Sequence, residues 1–382
     1  MRLRGPSMAV RLAASRWLRR EPFTQLPGGG GVAGVQQLLE NATVEVEEKT
    51  RKAQRAAPEE TSVLLFPGQG SQFVGMGRGL LRYPNVRQLF RVAEAVLGYD
   101  LWSLCQDGPS ARLHRTVYSQ PAVFVCSLAA VEKLHHQQPW AVESCVAAAG
   151  FSIGEYAALV FAGAMDYAEA LYAVKTRAEA MQEASEIIPS GMLSVIGRRD
   201  SDYKTACLEA LEYCKTVGIE DPVCEVSNYL FPDSRVIAGH IQALEFLQKN
   251  SKKFSFARVK MLPVSGAFHT RLMKSAMQPL SEALESISIQ EPLISVYSNV
   301  DSKKYRQPEQ IQHCLVEQLV SPVKWEQIMH TIYERNKGKK FPYTYEVGPG
   351  KQLGAILRSC NLKASKYYSN IEVSEDEADE ET

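Results

Sequence analysis

The chain has 382 residues, 45% of them hydrophobic, with 43 basic and 43 acidic side chains. That length suits one large domain with an insertion, or two domains. No run of about 18 apolar residues occurs, which argues against a membrane-spanning helix, and the balanced charge argues against general nucleic-acid binding.

The balance conceals uneven ends. Before Glu21 there is no acidic residue, but there are six arginines, at 2, 4, 11, 16, 19 and 20. With Ser7, Ser15, Leu12, Trp17 and Leu18 they compose residues 1–20 as a mitochondrial transit peptide rather than a secretory signal. Without those six arginines 37 basic side chains face 43 acidic ones. Residues 21–60 carry Gly28 to Gly31 and a polar stretch, and read as a poorly ordered linker. At the other end, Glu375 to Glu381 lies in an acidic tail spanning 371–382. The eight cysteines form no Cys-x-x-Cys pair and suit a reducing compartment; neither a metal site nor a disulfide framework is indicated.

Between the ends, short apolar strands alternate with helical patterns. Ser62–Phe66 reads as a strand, followed by helices near 71–82, 84–98 and 120–136. A strand at 144–149 leads into a helix, and a longer helix runs from Asp166 to Ser185. This is the grammar of an α/β domain with a largely parallel sheet. From 190 to 259 the texture changes: strands at 192–196, 223–227, 235–238 and 254–259 and helices at 201–216 and 240–250 make a βαββαβ unit, a ferredoxin-like insert. The α/β core, which occupies 61–189, then resumes over 260–370. It adds helices at 271–286, 308–319 and 324–335, strands at 293–298 and 342–347, and a last helix through Leu357.

Gly150-Phe151-Ser152-Ile153-Gly154 stands between the small-residue strand Val146–Ala149 and a helix. A Gly-x-Ser-x-Gly in that context is the signature of a nucleophile elbow, which presents a serine Oγ at a helix N-terminus. A turn or N-cap serine gives the same pentapeptide. A nucleophilic serine needs a base. Of seven histidines, His269 differs: it follows the irregular stretch Pro263–Phe268 after a strand and precedes a helix, the place where α/β proteins set functional groups. Pro67-Gly68-Gln69-Gly70-Ser71-Gln72 follows the first strand without the lysine of a phosphate-binding loop. It suits a backbone N–H donor for an oxyanion, with Ile153 N–H as the second. Arg177 leans toward an apolar helical stripe of Leu171, Val174, Ala178 and Met181. There it needs an anion, either Glu155 or a substrate carboxylate.

Four segments together resemble the malonyl-coenzyme A:acyl carrier protein transacylases: Phe-Pro-Gly-Gln-Gly-Ser-Gln-x-x-Gly-Met-Gly (66–77), Gly-x-Ser-x-Gly-Glu-Tyr (150–156), Gly-Ala-Phe-His-Thr (266–270) and Tyr-Glu-Val-Gly-Pro-Gly (345–350). The resemblance spans about 63–357 and, with the basic leader, implies a mitochondrial matrix member of that family. It implies an α/β-hydrolase-like core with a ferredoxin-like subdomain, no cofactor and no metal. It also implies roles: Ser152 as the acylated nucleophile, His269 as its base, and the Gln318 backbone carbonyl orienting the imidazole in place of a carboxylate. Gln69 and Ile153 would form the oxyanion hole, Arg177 would grip the malonyl carboxylate, and Asn228 would line the cleft. Phe268 would exclude α-branched acyl groups. Phe151 stands where relatives often carry histidine, and Leu230 and Phe231 replace small polar residues after Asn228. The implied partners are malonyl-coenzyme A and an acidic acyl carrier protein. For the latter, Arg198, Arg199, Lys249, Lys252, Lys253, Arg258 and Lys260 offer a basic patch. On the residues alone, a serine esterase using water as acceptor and a non-catalytic scaffold are the rival readings.

Overall fold

A computed structural model describes residues 57–336 and 338–374. The leader, nearly all of the linker and the acidic run from Glu375 lie outside these residues. Five strands form one parallel sheet in the order β10-β9-β1-β2-β7, with β1 at Ser62–Phe66, β2 at Cys145–Gly150, β7 at Ser295–Val296, β9 at Tyr343–Val347 and β10 at Tyr368–Ile371. β1 is buried along its whole length, as a central parallel strand covered on both faces must be.

Alternation along β1 divides its side chains between two cores. Leu64 and Phe66 face one built on the helices α2 (Thr116–Gln137), α3 (Gly154–Phe161) and α4 (Tyr167–Ile187), with α1 (Val86–Leu97) outside them. Val63 and Leu65 face a second core, formed with Trp325, Ile328 and Leu357 from later helices. The helix expected over 71–82 is instead turns and a short 3-10 segment, Arg78–Arg82. Gly75 and Gly77 take positive φ there, which breaks the α-helical run.

The second sheet runs β6-β3-β5-β4-β8. Within it, β3 (Ser190–Ile196), α5 (Tyr203–Thr216), β4 (Cys224–Phe231), β5 (Ser234–His240), α6 (Ile241–Lys249) and β6 (Arg258–Met261) make the antiparallel βαββαβ of a ferredoxin-like subdomain. Leu193, Val195, Ile237, Leu244 and Phe254 form its own core. The strand expected at 254–259 begins four residues later, because 251–255 turn and place Phe254 and Phe256 in that core. The fifth strand, β8 (Val323–Lys324), pairs parallel with β4, Asn228 opposite Val323. It belongs to the chain after the insert, and Lys324 N donates to Asn299 O at 2.9 Å. Two residues have no periodicity to detect, so β8 is not visible as a pattern; the four-residue edge strand β10 is not among the expected strands either.

The fold thus sets three loops side by side. β1, β2 and β7 are parallel neighbours, so the chain leaves each at the same edge of the sheet, where open α/β sheets bind ligands.

Candidate active site

The turn after β2 is built by close approach. A Cβ on Gly150 would lie 1.9 Å from the Gly154 carbonyl carbon, and one on Gly154 would lie 2.3 Å from Phe66 O. The glycines supply space, while the unusual backbone falls on the serine itself: Ser152 has φ 53°, in the left-handed region. Such a residue costs on the order of 1–3 kcal/mol and persists only where its surroundings hold it. Here Ser152 N donates to Asn299 Oδ1 at 2.7 Å, and Gly154 N donates to Phe151 O at 2.9 Å. Asn299, on the loop after β7, also donates through Nδ2 to Gly150 O at 2.8 Å.

His269, also at positive φ, brings Nε2 to 2.9 Å from Ser152 Oγ. Its Nδ1 lies 2.7 Å from the Gln318 backbone oxygen. A carbonyl only accepts, so Nδ1 carries the hydrogen and Nε2 is left to accept the serine proton. Burial, with the Arg177 charge adding to it, pushes the imidazole down to about 4, and the Gln318 bond opposes. The base is therefore neutral near physiological pH. Among the other histidines, only His240 is buried, and it accepts from Val223 N.

Arg177 lies on α4, fully buried. Its Nη2 donates to Ser152 Oγ at 3.0 Å and to Gln318 Oε1 at 2.8 Å, and its Nη1 donates to Gln120 Oε1 at 2.6 Å. The guanidinium sits 5.7 Å from the centre of the Tyr156 ring. Burial holds its pKa below the ordinary value. Among the described residues it makes no ion pair; Glu155, one of the two anions weighed from the sequence, is reached through Gln318. That side chain gives Oε1 to Arg177 and Nε2 to Glu155 Oε2, 2.7 Å away. Two neutral carboxamide oxygens thus occupy a cation in an apolar setting.

Gln69 joins this cluster by its side chain: Gln120 Nε2 donates to Gln69 Oε1 at 3.2 Å. A Cβ on Gly68 would come within 2.6 Å of Phe151 O, so only glycine lets the loop after β1 lie against the elbow. Ile153 is buried just before α3. Neither the Gln69 nor the Ile153 N–H meets a protein acceptor among the described residues. Phe268 packs in the large core beside His269. Asn228 stands apart. It is buried on β4, accepts from Ser227 Oγ at 2.8 Å and makes no bond to Ser152, His269 or Arg177. The seven basic residues are all exposed, and they gather toward β6, the opposite edge of the subdomain sheet from β8. Lys253 pairs with Glu209.

Pattern reading missed Gln120, Asn299 and Tyr305. Gln120 sits within a long apolar helix, where a polar residue is the available signal. Asn299 follows a strand end in Tyr297-Ser298-Asn299, which is the position of a functional loop.

An elbow serine with a carbonyl-oriented histidine, on a parallel core carrying a ferredoxin-like subdomain, defines an acyltransferase. Residues 63–340 match the model of the acyl transferase domain, and the chain belongs to that family. It is 62% identical over 374 residues to the mitochondrial malonyl-CoA-acyl carrier protein transacylase of Homo sapiens, covering 96% of each chain. The solved malonyl CoA-acyl carrier protein transacylase of Coxiella burnetii superposes with a TM-score of 0.74 at 31% identity, over 82% of this chain and 95% of that one. A type II PKS acyl-carrier protein in complex with its malonyl-transacylase gives 0.72 at 34% identity, over 81% and 94%.

Proposed function

We propose that the chain moves the malonyl group of malonyl-coenzyme A to the phosphopantetheine thiol of an acyl carrier protein, for fatty acid synthesis in the mitochondrion, in the matrix. Identity to the human mitochondrial enzyme over nearly the whole chain supports the substrates and the organelle. The observation that carries the mechanism is the chain of bonds from Gln318 O through His269 to Ser152 Oγ, beside a buried cation with no carboxylate partner among the described residues.

In this reading Ser152 Oγ attacks the thioester carbon as His269 Nε2 takes its proton. The carbonyl oxygen becomes an oxyanion facing the Gln69 and Ile153 N–H groups, where one such donor is worth about 10²–10³ in rate. The intermediate collapses, the C–S bond breaks, and His269 returns the proton to the coenzyme A sulfur. The carrier-protein thiol then gives its proton to His269 and attacks malonyl-Ser152, and the serine leaves with that proton. Arg177 holds the malonyl carboxylate, Phe268 limits bulk beside the acyl group, and Asn228 lines the outer cleft. The acidic carrier protein docks on the basic residues of the subdomain, Arg198, Arg199, Lys249, Lys252, Lys253, Arg258 and Lys260.

Intact mass after mixing with malonyl-coenzyme A tests the reading. A malonyl adduct is expected on the wild type and absent from Ser152→Ala; equal adducts on both would overturn it.

A further inference from the structure

A buried carboxylate beside the catalytic pair takes no part in that reaction. Glu155 is 1% exposed, in the first turn of α3. Its Oε2 accepts from Gln318 Nε2 at 2.7 Å and from Asn299 N at 3.2 Å, and its Oε1 accepts from the Tyr305 hydroxyl. Burying a charge is expensive unless donors surround it, and an apolar residue of similar size would fill this space without that cost.

The two residues that Glu155 holds are the two that hold the Ser152–His269 pair. Gln318 supplies the carbonyl at His269 Nδ1, and its Nε2 also donates to Ser152 O at 3.2 Å. Asn299 supplies the acceptor for Ser152 N and the donor to Gly150 O. A carboxamide can face two ways that differ only in which end donates. The anion of Glu155 draws Gln318 Nε2 toward itself, which turns Oε1 to Arg177; the opposite sense would set an NH2 against the guanidinium and an oxygen against the carboxylate.

We propose that Glu155 is a positioning residue that takes the place of a triad acid at one remove: it fixes Gln318 and Asn299, and through them the imidazole and the elbow. The proposal rests on the reading of Ser152 as the acylated nucleophile.

The charge state of Glu155 then matters. The groups facing it are Tyr305, Asn299, Gln318, Arg177 and, further off, Cys314. Burial pushes its carboxyl up to about 7, against the Tyr305, Gln318 and Asn299 bonds and the Arg177 charge. Protonation gives it a hydrogen to donate where three neighbours already donate, so the arrangement loosens as pH falls through that value.

The test is the single-turnover rate of Ser152 malonylation, followed by quenched intact mass across neutral pH, for the wild type, Glu155→Gln, Tyr305→Phe and Ser152→Ala. Glu155→Gln is expected to lower the maximal rate by about 10²-fold, the scale of a small misplacement, with little change in KM, and to lose the ascending limb near pH 7. Tyr305→Phe keeps the carboxylate with one donor fewer, so its limb moves to higher pH. A Glu155→Gln protein with the wild-type rate and limb, or with a loss wholly in KM, overturns the proposal. If Glu155→Gln does not fold, an unmoved limb in Tyr305→Phe overturns it. An adduct on Ser152→Ala would instead sink the underlying reading of the nucleophile.

Discussion

Arg177 donates to the hydroxyl of Ser152 at 3.0 Å, so the cation proposed to grip the substrate also touches the attacking oxygen. An acetyl group would not leave the guanidinium without acceptors, because Gln120 and Gln318 already supply them; a malonyl carboxylate gains by adding charge to a site held by neutral oxygens.

Arg177→Ala should therefore cut malonyl transfer far more than acetyl transfer. Losing one partner of a buried charged pair costs about 2–5 kcal/mol, or at least ~30-fold in kcat/KM. Transfer assays with malonyl- and acetyl-coenzyme A check this. Equal losses on the two substrates would remove Arg177 from the carboxylate site.

Two buried groups should tilt stability in opposite directions with pH. His269 sits at about 4 in the folded protein, below its ordinary 6.5, so its contribution is complete above 6.5 and is lost as pH falls toward 4. Glu155 sits at about 7, above its ordinary 4.5, so folding is favoured below 4.5 and that advantage is lost as pH rises to 7. Burial raises Glu132 to about 7 as well, so each group is read as a difference from the wild type. Measured that way, denaturant unfolding should show His269→Asn losing stability as pH rises between 4.5 and 6.5, and Glu155→Gln gaining it, each by up to about 1.4 kcal/mol per pH unit. Parallel profiles for the two variants would contradict this account.

Glycines of the elbow and of the loop after β1 predict an ordering of stabilities. Gly154→Ala drives a Cβ into Phe66 O and should cost more than about 3 kcal/mol. Gly70→Ala meets nothing within 4 Å and bears only its φ of 103°, for roughly 1 kcal/mol. Unfolding midpoints decide; a milder loss at Gly154 than at Gly70 would refute the close-approach explanation.

Charge reversal on the subdomain tests the docking surface. Lys253 is already paired with Glu209 and lies 5.5 Å from the Phe254 ring centre, whereas Lys252, exposed like it, makes no ion pair among the described residues. Lys252→Glu should raise the KM for carrier protein more than Lys253→Glu does. Both effects should shrink as salt screens them, without altering the rate of malonylation by coenzyme A thioester. Unchanged KM values would move the docking site elsewhere.

Local grammar carried far in this chain. The alternation of apolar runs with helical periods, the switch to βαββαβ near residue 190, and the pentapeptide at 150–154 are written in neighbouring residues, because strands, helices and tight turns each answer to short-range pattern. So is the choice of His269 over six others, through its position between a strand and a helix. The resemblance, not the pattern, supplied the Gln318 carbonyl: a backbone oxygen leaves no residue-type signal. The tertiary structure alone decided how Gln318 turns its amide between Arg177 and Glu155, how Asn299 holds the strained Ser152, and that β8 crosses from core to subdomain. Those depend on groups about a hundred residues or more apart meeting where water is excluded, and there a hydrogen bond's donor and acceptor are set by three-dimensional neighbours that no local period records.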